Sequence, residues 1–329
     1  MPVVTTLAAL LLAAALGPAC APSAIRGLTR LETAQSYLDA ERFGRAANMA
    51  EYLLEEAQSP PLSAQDEAEA AWLAGESRMF EGEHERAFQH YKRLLETAPW
   101  SPHVAALEAR LYEIGLALLY EDQYGGWLFS SRGRGVEVMT TLQVHFRQSA
   151  RADDALRHIA DWFASDENEE WLEASLTYEQ LFTDYPDSEW AERSLWLAAW
   201  CRLKRVYRAG YNNGDLHHAH ELLRTSRRVH PRGAASREVR EDLTRTRDLL
   251  AQTEVIVADF YAGRGRPAGE QLRLANAALL YPETDAGEAA RQRLAAMGLD
   301  IDVMAADPAL SSTDGSVSPR SPWEQDAQP

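Results

Sequence analysis

One spacing, repeated along the chain, limits what this sequence can fold into more than any other feature. After Gly75 and Gly82, Ala87 is followed four positions on by Tyr91, three further on by Leu94, and then by Pro99. The frame recurs as Ala174, Tyr178, Leu181 and Pro186. It recurs as Ala46, Ala50 and Leu53, with proline slipped to Pro60 and Pro61, and as Ala219, Leu223 and Pro231. A small residue lets two helices cross at about 8–10 Å. The residues four and seven positions beyond it lie on the same helix face and form a buried stripe. Proline disfavours helix in the residue before it and closes the segment.

These spacings are those of tetratricopeptide (TPR) units, two antiparallel helices in about 34 residues. Six units can be framed, roughly at 27–61, 68–101, 112–149, 155–188, 200–232 and 250–284. The expected fold is therefore all-α, a TPR-type α-solenoid built as a right-handed superhelix of helix hairpins. The third unit is interrupted by a Gly-rich insertion at residues 124–135, and Ser236 to Leu250 reads as extra helix between the fifth and sixth units. The expected organisation is a signal peptide at 1–19, a tether at 20–26, N-terminal units over 27–150, C-terminal units over 151–299 and a disordered tail over 300–329.

Formal charge is −17 with a pI near 5.0. That overall charge argues against nonspecific nucleic-acid binding, which needs a cationic field, and against attraction to an anionic membrane surface. Two cysteines, Cys20 and Cys201, exclude a disulfide framework. Positive charge is almost all arginine, with only Lys92 and Lys204 as lysines. Arginine suits bidentate pairing with carboxylates.

The N-terminus reads as an export signal. Leu7 to Leu16 is an apolar core too short for a membrane span, although no Lys or Arg precedes Arg26. The run Leu16-Gly-Pro-Ala-Cys20 places a cysteine just after that core, as in bacterial lipoprotein signals, and points to acylation of Cys20. Ordinary cleavage after Ala19-Cys20-Ala21, releasing a soluble periplasmic protein, is the competing reading.

Candidates for covalent chemistry are few. His217, His218 and His220 beside Asp215 look like a metal cluster, but residues this close on one helix point in different directions, so a solvated face is expected. Arg132-Gly-Arg134-Gly135 is expected to be a loop, with an anion cradle as the alternative. The acidic run 166–170 is expected to be a solvated turn, and Gly263-Arg-Gly265 an inter-helix turn. Cys201 is expected to be a buried thiol, and Trp196 and Trp200 to be stacking core. No Ser-His-Asp or Cys-His frame stands out. No enzymatic activity, cofactor or metal is expected.

The last repeat carries a more specific resemblance. Ala258-Asp-Phe260-Tyr261 precedes Gly265, and Tyr281-Pro282-Glu-Thr284 begins 20 positions after Tyr261. Upstream, Tyr185-Pro186-Asp-Ser188-Glu-Trp-Ala191 makes a Tyr-Pro-x-Ser-x-x-Ala link, and Gly214 to Ala219 fits the start of a second helix. This pattern resembles the BamD-like outer-membrane protein assembly lipoproteins. Glu270 departs from it, standing where the last repeat usually has a small crossing residue, and there is one unit more than the usual five. The resemblance implies a non-enzymatic scaffold at the periplasmic face of the outer membrane, held to it only by a lipid on Cys20. It implies that N-terminal units hold unfolded outer-membrane protein clients and C-terminal units dock an Omp85-type barrel subunit, beside other assembly lipoproteins. Arg273 falls at the place of a docking arginine in the family; a solvated helix-face arginine is the alternative. Because first helices line the concave face of TPR arrays, Gln35, Leu38, Asp39, Trp72, Glu76, Met79 and Phe80 form the expected peptide groove, unless Trp72 or Phe80 packs between units. The alternative function is another periplasmic TPR adaptor lipoprotein, for envelope division, secretin or polysaccharide export.

Overall fold

Helix starts are set by local hydrogen bonds. Thr29 Oγ1 accepts from the Glu32 backbone N–H at 3.2 Å while the Glu32 carboxylate accepts from the Thr29 N–H at 2.6 Å, a reciprocal capping box. Ser63 and Thr284 cap later helices through their hydroxyls. A computed structural model describes residues 29–55, 62–120 and 132–301. Among these it holds thirteen helices and no strand.

The helices are α1 (Arg30–Asp39), α2 (Phe43–Glu55), α3 (Ala64–Phe80), α4 (His84–Thr97), α5 (Val104–Tyr120), α6 (Arg132–His145), α7 (Ala152–Phe163), α8 (Trp171–Asp184), α9 (Ala191–Lys204), α10 (Asn213–Val229), α11 (Ser236–Gly263), α12 (Pro267–Leu280) and α13 (Asp285–Ala296). Paired in order they make six hairpins followed by α13, so the expected all-α, TPR-type architecture holds. The chain divides into two compact units, one through Ala155 and one from Leu156.

In the first unit each helix packs on the next from α1 to α6. Gly75 of α3 lies so close to the Tyr91 ring of α4 that a Cβ there would sit 2.3 Å from a ring carbon. Tyr91, Ala87 and Leu94 are fully buried, as the spacing requires. Gly82 turns the chain between α3 and α4 at φ +75, a conformation that costs glycine no Cβ clash. The third hairpin, at 104–145, begins earlier than the frame 112–149. Residues 132–135 are not loop: they open α6, and Gly135 lets α6 lie against Leu119 of α5. The rest of the Gly-rich insertion up to residue 131 is outside the described residues, as are Pro60, Pro61 and 302–329.

In the second unit one core joins Ala160, Ala174, Tyr178, Leu195, Ala219 and Leu223 to Leu243 and Leu250, and a second joins Ala258 and Leu274 to Ala290 and Leu294. Residues 236–250 are not a separate helix. They are the first half of the 28-residue α11, which packs on α10, α12 and α13. At about 1.5 Å per residue α11 is roughly 42 Å long, enough to serve the fifth and sixth hairpins together. Glu270, the misfit at a crossing position, is accommodated because Arg293 of α13 binds its carboxylate, while the adjacent Gly269 makes the close approach to Tyr261.

Candidate functional site

Arginine pairing sets which faces stay open. Arg78 of α3 is buried and donates from Nε and Nη2 to Glu51 of α2 at 2.8 and 2.6 Å, and from Nη1 to Glu81. Burial pushes the Glu51 carboxyl up, but Arg78 and His90 together hold it below the usual carboxylate range. In the second unit Arg202 and Arg205 of the α9 end clasp Asp215 of α10 at 2.9 and 2.6 Å. Burial likewise opposes ionisation of Asp215, and Arg205, Arg202 and Asn212 outweigh it. Charge-assisted forks of this kind fix the register of neighbouring helices. The arginine-over-lysine composition was the sequence signal for them, but it did not say which arginines.

The expected peptide groove falls in the first unit, on α1 and α3. Gln35 and Asp39 are exposed and joined by an amide–carboxylate hydrogen bond of 2.7 Å. Leu38 is half-buried against Ala34, Ala50, Leu73 and Ala74. Trp72 is half-buried and stacks on His103 with centroids 4.7 Å apart. Phe80 is 54% exposed, stacked on Phe43 at 5.0 Å, with the Arg110 guanidinium 5.9 Å from its ring. Met79 is buried. Glu76 is only 6% exposed and its carboxylate is fully engaged, by Tyr91 Oη at 2.5 Å and by Arg110 Nε and Nη2 at 2.8 Å each. Burial first, then the Glu76 charge, raises the Tyr91 phenol, which stays a donor. The outward surface of this set is therefore Gln35, Asp39 and Phe80 with part of Trp72, and Phe43 belongs to it although its position in the repeat did not mark it.

Arg273 lies on α12 with its side chain 15% exposed. Its Nη1 is 3.3 and 3.2 Å from the two carboxylate oxygens of Glu254 on α11, which also accepts from Asn276 at 3.4 Å. The same two helices carry exposed apolar side chains: Ile256 on α11 and Leu272, Leu279 and Leu280 on α12. Arg273 is therefore held in a largely buried ion pair between α11 and α12.

Other candidates are structural. His220 is not on a solvated face: it is 8% exposed, and its Nδ1 is 2.9 Å from Thr246 Oγ1 of α11. His218 instead meets Glu179 at 2.9 Å. Among the described residues no group of three or more His, Cys, Asp or Glu side chains could hold a metal ion. Cys201 is fully buried, and burial pushes its thiol up to about 12, so it is protonated at neutral pH. Trp196 and Trp200 are half-buried and pack against the second unit's core, as expected. Trp200 meets Trp171 edge-on at 5.5 Å, and Trp196 Nε1 donates to Asp242 of α11 at 2.9 Å. No helix among the described residues is long and apolar enough to cross a membrane. Cys20, the expected lipidation position, lies outside the described residues.

Comparison with curated proteins returns no match. A solved structure of the C-terminal part of a TPR repeat-containing protein from Cytophaga hutchinsonii is similar at 12% identity, over 79% of this chain and 86% of that one, with a TM-score of 0.29. A TM-score that low adds nothing to the fold described above. The family model YfiO, outer membrane lipoprotein, matches residues 135–307, which run from the start of α6 past α13. Matched over more than half of its length, the chain belongs to the YfiO family of outer membrane lipoproteins.

Proposed function

We propose that this protein is a non-enzymatic scaffold of the outer-membrane β-barrel assembly machinery. Acylation of Cys20 anchors it to the periplasmic face of the outer membrane. Residues around Phe80 on the first unit hold extended segments of unfolded outer-membrane protein clients, with apolar rings as adaptable anchors. The α11–α12 face, with Arg273 and the exposed apolar side chains of the two helices, docks an Omp85-type barrel subunit. No covalent step is required: the helices supply area, and many weak contacts position the partners.

The observation that carries this reading is the family match over 135–307, which includes the Ala258-to-Tyr261 and Tyr281-to-Thr284 blocks. The test is co-purification from detergent extracts of native membranes. An Omp85-type barrel recovered stoichiometrically with the chain supports the proposal; its absence under conditions that preserve other envelope complexes overturns it. A second reading, a periplasmic TPR adaptor lipoprotein for envelope division, secretin or polysaccharide export, draws on one observation. The family match leaves α1 to α5, with the Phe80 face, outside it.

A further inference from the structure

In a chain of net charge −17, the stretch from Arg224 to Arg247 is a local inversion, with eight arginines against three acids. The fold gathers four of these arginines around one cavity of about 420 Å³, between the C-terminal half of α10 and the N-terminal half of α11: Arg224, Arg227, Arg240 and Arg247. The three acids of the stretch are turned elsewhere. Asp242 accepts from Trp196 on α9, and Glu238 and Glu241 lie near Arg237. Glu283 also lines the cavity, but Arg247 binds its carboxylate. Arg224 has one contact, to Glu221 at 2.9 Å. Arg227 and Arg240 have no carboxylate partner among the described residues and face the cavity from opposite helices.

Two free guanidinium forks and two partly used ones exceed what a single carboxylate can accept, since one bidentate fork occupies both of its oxygens. A phosphomonoester offers three acceptor oxygens and up to two negative charges, where a phosphodiester has only two free oxygens and one charge, and the cavity is within the size range of small-ligand sites. From this we infer that the α10–α11 cavity binds a phosphate group of the monoester type, carried either by a phosphatidic-acid headgroup or by a soluble phosphate. The inference does not rest on either face assigned above, although Arg247 also donates to the Leu280 carbonyl at 3.0 Å, at the edge of the α11–α12 face.

The test is calorimetric titration of the full chain in detergent with two probes: inorganic phosphate and dihexanoyl phosphatidic acid below its micellar concentration. Saturable binding is expected, weakened at least tenfold in the Arg227→Gln/Arg240→Gln double variant and unchanged in Arg237→Gln, whose side chain lies outside the cavity. Both substitutions in the double variant are at exposed positions, and a melting curve equal to the wild type confirms that it is folded. Binding of both probes assigns the phosphate group alone as the determinant; binding of the lipid only assigns the headgroup. Binding of neither probe, equal binding by the double variant, or binding of hexaglutamate in place of both overturns the inference.

Discussion

The two units are made of the same hairpins but joined by different residues. In the first, the tightest joint lies on the repeat frame itself: Gly75 against Tyr91, with Ala87 and Leu94 buried behind it. In the second, the frame residues Ala174, Tyr178, Ala219 and Leu223 are buried as well, but more of the joints are made by residues that the frame does not specify. Asp215 is clasped by Arg202 and Arg205, His220 bonds Thr246, and Arg273 meets Glu254, all of them against helices that the long α11 or its neighbours supply. Frame positions stack any hairpin on any other, so they say little about function. Off-frame polar residues need one particular neighbour, and most of the second unit falls inside the family match.

Four changes probe that contrast. The largest effect is expected for Arg202→Ala. Asp215 keeps Arg205 and Asn212, but the change removes the Arg202 bonds to Asp215, Glu179 and Ser175 together, and a hydrogen bond to a charged group contributes about 1.5–3 kcal/mol. Chemical denaturation followed by the second unit's tryptophans should show that loss, with the first unit unfolding as before. A uniform loss across both units would mean that they are not separate cooperative structures.

Next is a pH effect. Burial, reinforced by Arg247 and Arg224, lowers His220 to about 4, whereas an unfolded histidine titrates near about 6.5. Between those values the unfolded chain takes up a proton that the folded chain does not, so stability falls as pH drops through that window. The difference corresponds to about 3 kcal/mol. Denaturation at pH 7 and pH 4.5, with His220→Gln as the reference, measures it: the wild type should lose more on acidification than the variant.

Gly75→Ala strikes the frame instead. A new Cβ would overlap the Tyr91 ring, which is fully buried and tied to Glu76, so neither can shift freely. Overpacking of this kind costs about 2 kcal/mol, and hydrogen exchange should report it in α3 and α4. The smallest effect is Thr29→Ala, which deletes the α1 cap for about 1 kcal/mol and should appear as faster exchange in the first turn alone.

The legibility of the sequence divides in the same way. Ala46, Ala87, Ala174 and Ala219 announced the crossings because only small residues fit there, and each is fully buried. Tyr281 and Pro282 marked the end of α12 because proline stops the residue before it from continuing a helix. The continuity of α11 agrees with the absence of proline and glycine from residues 236–262, but the repeat frame, which opens its sixth unit at 250, divided the stretch in two. The interior position of Glu76 was hidden because its partner Arg110 is 34 residues away. His220 read as solvated because its burial depends on α11 lying across α10. In both units these polar partners come from the packing of helices distant in sequence, and no local pattern encodes them.

Site-specific photo-crosslinking in cells tests the division of labour most directly, with a photoreactive residue at Leu272 beside Arg273 in one strain and at Phe80 in another. The account predicts adducts with an Omp85-type barrel subunit from position 272 and with unfolded barrel clients from position 80. The same partner captured from both positions, or adducts with neither class, would contradict it.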